Sequence, residues 1–355
     1  MRLVTGGIAA ALLVLLSGCT APAPAPTAAP TPTAAPVEAA APAPLSCNEL
    51  VPPSEVAAAL SASEPPAPAT ESSMPLWNLY EWAVMAAGGV SCSWRVGDSA
   101  TYLVVDVLPD AADAWHGHDY GDGTIEPNRT VAGVAAAAAC GQAGCTISAP
   151  VAGTWTIVRL RTDGSRADGF RSDGTRFADL TDEQTLAGLD VAAAAAFSAL
   201  TTAEPERLAW SHVVAASAAP TSCEAVLPAA DLAELTGNPA AWEVPALTER
   251  ELAFLRSFAQ ARAGFLNCNA MAPEGPPTSV VVAPGAAWLV AEFAASREVP
   301  VGGTVATIGG STALEWCSPN GGWCTVILAV GDDAVQVSDG SHATEIAEAI
   351  VARAR

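Results

Sequence analysis

Residues 46–60 read SCNELVPPSEVAAAL, and residues 81–92 of the same stretch read EWAVMAAGGVSC. The stretch 46–92 occurs twice, because it aligns with residues 222–268 without a gap. The matched positions include Ser46 with Ser222, Cys47 with Cys223, Pro52 with Pro228, Leu79 with Leu255, Ala83 with Ala259, Gly88 with Gly264 and Cys92 with Cys268. A repeat of this length predicts one structural unit that is used twice.

The chain has 355 residues, which is enough for two domains that each bury a core. The repeat predicts two tandem copies of a disulfide-stapled α+β domain over residues 46–202 and 221–355, joined by a bridge at 203–220. Each copy has helical, then alternating apolar, then helical segments. This order predicts a mostly antiparallel sheet with helices on one face. We expect each copy to fold alone.

Turn and cap residues refine this prediction. Gly88 and Gly264 follow helical patterns and predict left-handed caps that end those helices. The pattern predicts two late hairpins that turn at Gly153 and at Gly331. Trp115 and Trp288 follow proline-terminated strands and are predicted to lie on helices.

The N-terminus has the pattern of a secretion signal. Arg2 precedes an apolar run at 8–16, and small residues follow up to Cys19. We predict a lipoprotein signal peptide over residues 1–18. The alternative is a plain signal peptide in which the cysteine that follows is incidental. Residues 19–45 are rich in Ala, Pro and Thr, which predicts a disordered, extended tether.

The sequence Leu16-Ser17-Gly18-Cys19 resembles the bacterial lipobox. Together with the tether and the paired cysteines, it resembles the secreted lipoproteins of high-GC Gram-positive bacteria, a class in which most members have no assigned activity. The resemblance implies that Cys19 is acylated and becomes the new N-terminus. It therefore implies a protein anchored by lipid at the outer face of the cytoplasmic membrane. The specific part of the resemblance covers residues 1–45, and no catalytic residue carries over.

Nine cysteines divide into Cys19 and eight others. Eight cysteines in a secreted chain indicate a disulfide framework in an oxidising compartment. The repeat leaves three possible pairings in each half, and matched spacing favours Cys47–Cys92, Cys140–Cys145, Cys223–Cys268 and Cys317–Cys324. Zinc binding with Cys140 and Cys145 as half a site is the alternative that we weigh less.

Composition excludes several functions. All fifteen cationic side chains are Arg, so chemistry that needs Lys is ruled out. The formal charge of −22 should repel polyanions, so we expect no nucleic-acid partner. The chain also lacks G-x-S-x-G, H-E-x-x-H and G-x-G-x-x-G.

Two segments contain possible metal ligands. His116, His118 and Asp119 form the only histidine cluster. The second copy has no histidine at the corresponding place, so we interpret these residues as solvated loop or helix-end side chains and not as metal ligands. Residues 163–176 contain three Asp-Gly-x-Arg motifs. Their arginines favour a self-neutralising loop over a calcium site. We therefore expect no metal and no cofactor.

Ten tryptophans against three tyrosines are unusual. Trp77 and Trp82 are best interpreted as core residues. Trp316 and Trp323 flank Cys317 and Cys324 near a loop, where exposed indoles can form a recognition surface. They are our candidate ligand-binding residues.

The leading hypothesis is a non-enzymatic, lipid-anchored extracytoplasmic binding or accessory protein with a groove between its two copies. Its partner would be an unidentified envelope ligand or protein. A cell-envelope hydrolase that uses two carboxylates is the runner-up, because 37 acidic residues can always supply a pair. A structural envelope spacer is the third possibility.

Overall fold

The computed structural model describes residues 42–64, 66, 68–69, 79–95, 101–119, 124–141, 144–162, 179–210, 219–238, 240–271, 277–296, 303–318 and 322–355. The predicted signal peptide, Cys19, the tether up to residue 41, Trp77 and the Asp-Gly-x-Arg segment lie outside the described residues. Pro42–Arg355 forms one compact unit. Below, the first half means residues 42–210 and the second half means residues 219–355.

The described strands form two seven-stranded antiparallel sheets and one short two-stranded pair. In chain order they are β1 (Pro68–Ala69), β2 (Val90–Arg95), β3 (Thr101–Leu108), β4 (His118–Asp119), β5 (Thr124–Ile125), β6 (Arg129–Val131), β7 (Val134–Gly141), β8 (Gly144–Val151), β9 (Thr154–Thr162), β10 (Trp242–Glu243), β11 (Leu266–Ala270), β12 (Thr278–Ala283), β13 (Gly303–Ile308), β14 (Ser311–Cys317), β15 (Cys324–Val330) and β16 (Asp333–Asp339). Sheet 1 has the order β1-β2-β3-β9-β8-β7-β6, and sheet 2 has the order β10-β11-β12-β16-β15-β14-β13. The two orders are the same, position by position.

The α-helices are α1 (Cys47–Leu50), α2 (Pro53–Leu60), α3 (Ala83–Ala86), α4 (Asp182–Thr202), α5 (Cys223–Val226), α6 (Ala229–Thr236), α7 (Glu249–Leu252), α8 (Leu255–Ala263), α9 (Ala287–Ser296) and α10 (Ala343–Arg353). Short 3₁₀ helices lie at Leu79–Trp82, Ala112–Ala114 and Pro205–Leu208. The predicted α+β class with antiparallel sheets is confirmed.

Four disulfides join the cysteine pairs that matched spacing predicts: Cys47–Cys92, Cys140–Cys145, Cys223–Cys268 and Cys317–Cys324. The first and third tie a helix at the start of each half to its sheet. The other two each join directly opposite residues of neighbouring strands. The four staples therefore fix each half internally, and none of them links one half to the other.

The two predicted hairpins are present. β8 and β9 turn at Ala152 and Gly153, both with positive φ, and β15 and β16 turn at Gly331 with φ of 60°. Gly264 ends α8 in the left-handed conformation, as predicted. The helix predicted at Trp115 is wrong, because the described segment there is a single 3₁₀ turn that ends at Ala114.

A long helix covers one face of sheet 1. Eight residues of α4 are buried, among them Leu189, Ala193 and Phe197, and they share one apolar cluster with residues of β3 and β8. By length and composition α4 could cross a membrane. Its packing on sheet 1 identifies it as the core helix of this half.

Sheet 2 carries helices on both faces. Val326 and Leu328 belong to the cluster under α10, whereas Ile327 between them belongs to the cluster under α9. Since successive strand residues point to opposite faces, α9 and α10 lie on opposite sides of this sheet. The predicted arrangement with helices on one face is therefore wrong. We call the faces under α4 and α10 the outer faces, and the opposite faces the inner faces.

The inner faces of the two sheets share their core. One cluster joins the first half to the second through Leu79, Trp82, Met85, Tyr102, Val104, Leu289, Val290, Phe293, Leu314 and Ile327. A second cluster does so through Val84, Leu108, Trp155, Ile157, Leu255 and Ala259. Trp82 is fully buried, with its ring centroid 4.5 Å from that of Phe293.

The contact between the halves is therefore a packed core where the structure describes it, not the groove that the sequence suggested. An isolated half would expose its part of both shared clusters to water, and the hydrophobic effect opposes that exposure. The boundaries 46–202 and 221–355 stay predictions about chain organisation.

The end of the tether is bound to the bridge between the halves. The backbone N–H of Leu45 donates to the carbonyl of Arg207, 3.0 Å away, and the indole Nε1 of Trp210 donates to the carbonyl of Leu45 over 2.8 Å. Arg207 also donates to Glu49, with 2.7 Å between Nη2 and Oε1. The part of the bridge up to residue 210 is thus packed on the first half.

Glu49 connects this contact to the first helix. Its Oε2 accepts hydrogen bonds from the backbone N–H and hydroxyl of Ser46 in a capping box. The hydrogen bond from Arg207, followed by those from Ser46, lowers the pKa of Glu49 from 4.5 to about 2. A lowered pKa in the folded state means that the ionised carboxylate stabilises the fold.

We predict that Glu49→Gln lowers the melting temperature at neutral pH, because the charged capping contact is lost. The stabilisation is fully present above the unfolded-state pKa and disappears as pH falls through the folded-state value of about 2. The difference between wild type and variant should therefore shrink as pH drops from 4.5 towards 2 in thermal melts. Glu206→Gln, at an exposed position nearby, serves as the control. A difference that stays constant over this range would contradict the assignment.

Candidate functional site: a charge cluster between the sheets

Five charged side chains meet between the inner faces. They are Glu81 on the 3₁₀ helix, Asp106 on β3, Arg159 and Arg161 on β9, and Arg256 on α8. We call this set the charge cluster. Four of its members come from the first half and one from the second, so the cluster crosses the contact between the halves.

Strand alternation places these residues on the inner face. Val105 and Val107 on β3 belong to the outer core of sheet 1, so Asp106 between them points the other way. Val158 and Leu160 on β9 belong to the same outer core, so Arg159 also points inward. Because the apolar neighbours of Asp106 and Arg159 occupy the outer face, these two charged side chains lie on the inner face.

Asp106 is the centre of the cluster, with 1% of its side chain exposed. Its Oδ1 accepts a hydrogen bond from the hydroxyl of Ser91 over 2.6 Å. Its Oδ2 accepts from Nη2 of Arg159 over 2.9 Å, and from Nε and Nη2 of Arg256, each over 3.3 Å. A buried charge without partners is costly, and these contacts compensate the carboxylate.

Glu81 is the second anion. Its Oε1 accepts from Nη1 of Arg161 over 2.7 Å, and its Oε2 pairs with Nη1 of Arg256. Arg256, with a side chain only 5% exposed, therefore joins the α8 helix to two carboxylates of the first half at once. This guanidinium is the main ionic link between the halves among the described residues.

Arg159 is the least favourably placed cation. Burial lowers the pKa of the Arg159 guanidinium, and the charge of Asp106 offsets part of that effect. Its Nε is buried and makes no hydrogen bond to the described residues. Its side chain stays 19% exposed, while that of Arg161 is 36% exposed, so the cluster reaches solvent on the β9 side.

Two further polar contacts lie across the same interface. The hydroxyls of Tyr80 and Ser257 are 3.3 Å apart, and the backbone N–H of Leu79 donates to Oε1 of Gln336 over 2.6 Å. In the alignment that matches Leu79 with Leu255, Tyr80 corresponds to Arg256 and Glu81 to Ser257. The Tyr80–Ser257 contact is thus the counterpart of the Arg256–Glu81 pair with the halves exchanged.

The charge cluster consists of ion pairs that link the two halves. Asp106 contacts a hydroxyl and two guanidinium groups, and Glu81 contacts guanidinium groups. A carboxylate pair for glycoside hydrolysis needs oxygens that face the substrate and a water. The contacts of this pair do not suit that use.

Other buried carboxylates have structural contacts. Asp339 accepts from the hydroxyl of Thr278 and from the backbone N–H groups of Ser341 and His342 at the start of α10. Burial opposes ionisation of Asp339, but these hydrogen bonds outweigh it and hold its pKa below the ordinary value.

The hydroxyl of Ser341 and Oδ1 of Asp339 both lie near Nδ1 of His342, at 3.2 and 3.4 Å. A catalytic triad needs its two partners on different ring nitrogens, so this arrangement is not one.

Only one of the three possible metal ligands in the histidine cluster has a described side chain. His116 is exposed, and His118 and Asp119 form β4 opposite β5, with their side chains outside the described set. Among the described residues, Cys140, Cys145 and Asp182 come close enough to suggest a metal group. Both cysteines are bonded to each other, so their sulfurs are not thiolate ligands.

Trp316 and Trp323 lie at one end of sheet 2, and both are half-buried. Trp316 stands opposite Gly303 and Thr325 in the ladder and points to the inner face, like Leu314 two residues earlier. The carbonyl of Trp323 accepts a hydrogen bond from the backbone N–H of Ser318 over 2.7 Å. The two tryptophans precede the two cysteines of one cross-strand disulfide.

Sequence reasoning missed the charge cluster, although two signals were present. Asp106 is the one charge within the apolar strand YLVVDVL at 102–108. Arg159 and Arg161 alternate with apolar residues in TIVRLR at 156–161. Either pattern indicates a sheet face that contacts charged side chains and not only apolar ones.

Comparison of the chain with protein-family models, with curated proteins and with solved structures finds no match.

We predict that Asp106→Asn destabilises the protein by about 3–5 kcal/mol, because it removes the buried carboxylate charge that Arg159 and Arg256 share. Asp231→Asn breaks the exposed pair with Arg353, where both side chains are more than 40% exposed. That control should cost at most about 1 kcal/mol. Urea unfolding of both variants measures the difference. Equal effects would contradict the proposed role of the cluster.

Proposed function

We propose that this protein is a lipid-anchored extracytoplasmic binding or accessory lipoprotein without enzymatic activity. Four disulfides support the proposal most directly, because such bonds form and persist outside the reducing cytosol. The apolar run and Cys19 at the N-terminus supply the anchor in this proposal, and residues 19–45 supply the tether.

We also propose that the folded part consists of two copies of one domain. Three observations support this: the same strand order in both sheets, the same pair of long-range and cross-strand disulfides in each half, and the exchanged contacts at Tyr80–Ser257 and Arg256–Glu81. A contact in which residue i meets j, and the counterpart of j meets that of i, is the pattern of a self-complementary interface. The two copies would then form a dimer within a single chain.

In this proposal the ligand surface lies at the Trp316–Trp323 end of sheet 2. Half-buried indoles combine apolar area with a donor group and recur as anchors at binding interfaces. The shared core and the charge cluster would keep this end rigid, which lowers the entropic cost of binding. Cell-envelope glycan or an envelope protein is the expected partner.

The contacts of Glu81 and Asp106 do not favour the carboxylate hydrolase. A structural spacer differs from a binding protein in having no saturable ligand. Incubation with wall fragments distinguishes the three: a binding protein gives saturable affinity without product, a hydrolase gives product, and a spacer gives neither.

We predict that Cys19→Ala releases the protein from the membrane. Without the sulfur there is no site for the lipid, so the chain loses the anchor that this proposal assigns to Cys19. Fractionation of cells that express wild type or variant measures the shift from membrane to medium. Ser17→Ala, two residues away, should leave the protein with the membrane. Retention of the Cys19 variant would contradict lipid anchoring.

We predict that Trp316→Ala and Trp323→Ala each weaken binding to wall fragments by roughly tenfold or more, because interface indoles often dominate affinity. Trp210→Ala removes another half-buried indole, from the first half, and should leave the affinity unchanged. Calorimetric titration measures all three. An equal loss for the Trp210 variant, or no loss for the other two, would contradict the proposed surface.

A further inference from the structure

The four disulfides differ in how far they are shielded from solvent. In the first and third, Cys92 and Cys268 are fully buried. In the second, Cys145 is fully buried as well. The fourth disulfide, Cys317–Cys324, differs from the other three because neither of its cysteines is fully buried. Cys317 is exposed and Cys324 is half-buried.

The second and fourth disulfides form a matched pair. Both join directly opposite residues at the end of a hairpin, and their Cα–Cα distances are both 4.0 Å. Their loops are also similar, with separations of five and seven residues. Ladder position and loop length are therefore nearly constant between them, and exposure is the property that differs.

The shielding of the second disulfide has visible causes. Cys145 belongs to the outer core of sheet 1, and Sγ of Cys140 lies 3.8 Å from the carbonyl oxygen of Asp182 in α4. In sheet 2, Asp339 lies opposite Cys324, α10 starts four residues later at Ala343, and Cys317 is exposed. A thiolate from solvent can therefore approach Cys317, whereas α4 and the core shield Cys145.

We infer that Cys317–Cys324 is a thiol-exchange site, open to an extracytoplasmic dithiol, at the tryptophan-bearing end of sheet 2. Exposed disulfides are the labile and regulatory ones in proteins, whereas shielded ones resist exchange. The formal charge of −22 and the position of Asp339 opposite Cys324 favour an uncharged dithiol over an anionic one.

The exchange proceeds in two steps. A thiolate of the dithiol attacks Sγ of Cys317, a mixed disulfide forms, and Cys324 leaves as a thiolate. The second thiolate of the dithiol then attacks the mixed disulfide and releases Cys317. The dithiol is oxidised to a disulfide by two electrons, both protein sulfurs are reduced, and the two protons of the dithiol end on the two cysteines.

Reduction would free the end of the hairpin without opening the sheet. Trp316 still pairs with Thr325, and the backbone N–H of Ser318 still donates to the carbonyl of Trp323. What changes is the covalent tie next to both indoles. The inference goes beyond the proposed function, since it needs no ligand at that surface.

The test is a native reduction of the full chain purified from an oxidising compartment. Aliquots taken during treatment with dithiothreitol, an uncharged dithiol, are quenched in acid and alkylated, and the labelled peptides are mapped by mass spectrometry. We expect Cys317 and Cys324 to be labelled about tenfold or more faster than Cys140 and Cys145. Equal rates, or faster labelling of Cys140 and Cys145, would overturn the inference.

A variant tests whether the fold survives reduction. Cys317→Ser combined with Cys324→Ser mimics the reduced state, and we expect it to melt cooperatively with altered tryptophan emission. Cys140→Ser combined with Cys145→Ser is the matched control and should leave the emission of Trp316 and Trp323 unchanged. Loss of cooperative melting in the first variant would show that the bond is a structural staple, and would also overturn the inference.

Discussion

A sheet has two faces, and each face must be covered before its apolar side chains leave water. In this protein α4 and α10 cover the outer faces of the two sheets. The inner faces are covered jointly, by the 3₁₀ helix at Leu79–Trp82 and by α3, α8 and α9, which pack between the sheets. Neither half completes this middle layer alone, and the arrangement of the folded part follows from that requirement.

Charge then determines how the two halves fit. Apolar surfaces tolerate many packings, whereas a buried ion pair is stable only in the arrangement that satisfies every partner. Arg256 from the second half reaches Asp106 and Glu81 of the first, and the exchanged position is occupied by Tyr80 and Ser257. One side of the interface is thus ionic and its counterpart is neutral. This asymmetry excludes a second, exchanged set of ion pairs between these positions and favours one register.

The sequence was sufficient where the signal is local. Cysteine spacing predicted the four disulfides, and glycines predicted the two hairpin turns. The order of segments predicted that each half ends in a helix, and the structure has these helices at Asp182–Thr202 and Ala343–Arg353. Local patterns of this kind need no knowledge of what packs against them. The interpretation of Trp82 as a core residue is also confirmed, since this side chain is fully buried.

The sequence was insufficient where the signal depends on a distant partner. Alternation shows that Asp106 points away from Val105 and Val107, but it does not show that Arg256, 150 residues later, lies opposite. For the same reason, the sequence pattern predicted helices on one face and a groove between the halves, because it contains no signal of the shared middle layer. The ligand-binding role of Trp316 and Trp323 still stands as a proposal, because a single indole on a strand is compatible with packing and with recognition.

The shared middle layer is tested most directly by hydrogen exchange in the variant Phe293→Ala. Phe293 lies in α9 of the second half, is 3% exposed and packs on Trp82 of the first. Loss of this ring should cost about 3–5 kcal/mol. If the halves share one core, amide exchange must rise in β3 of the first half together with α9. If exchange rises only within residues 219–355, the halves are separate domains and the account is wrong.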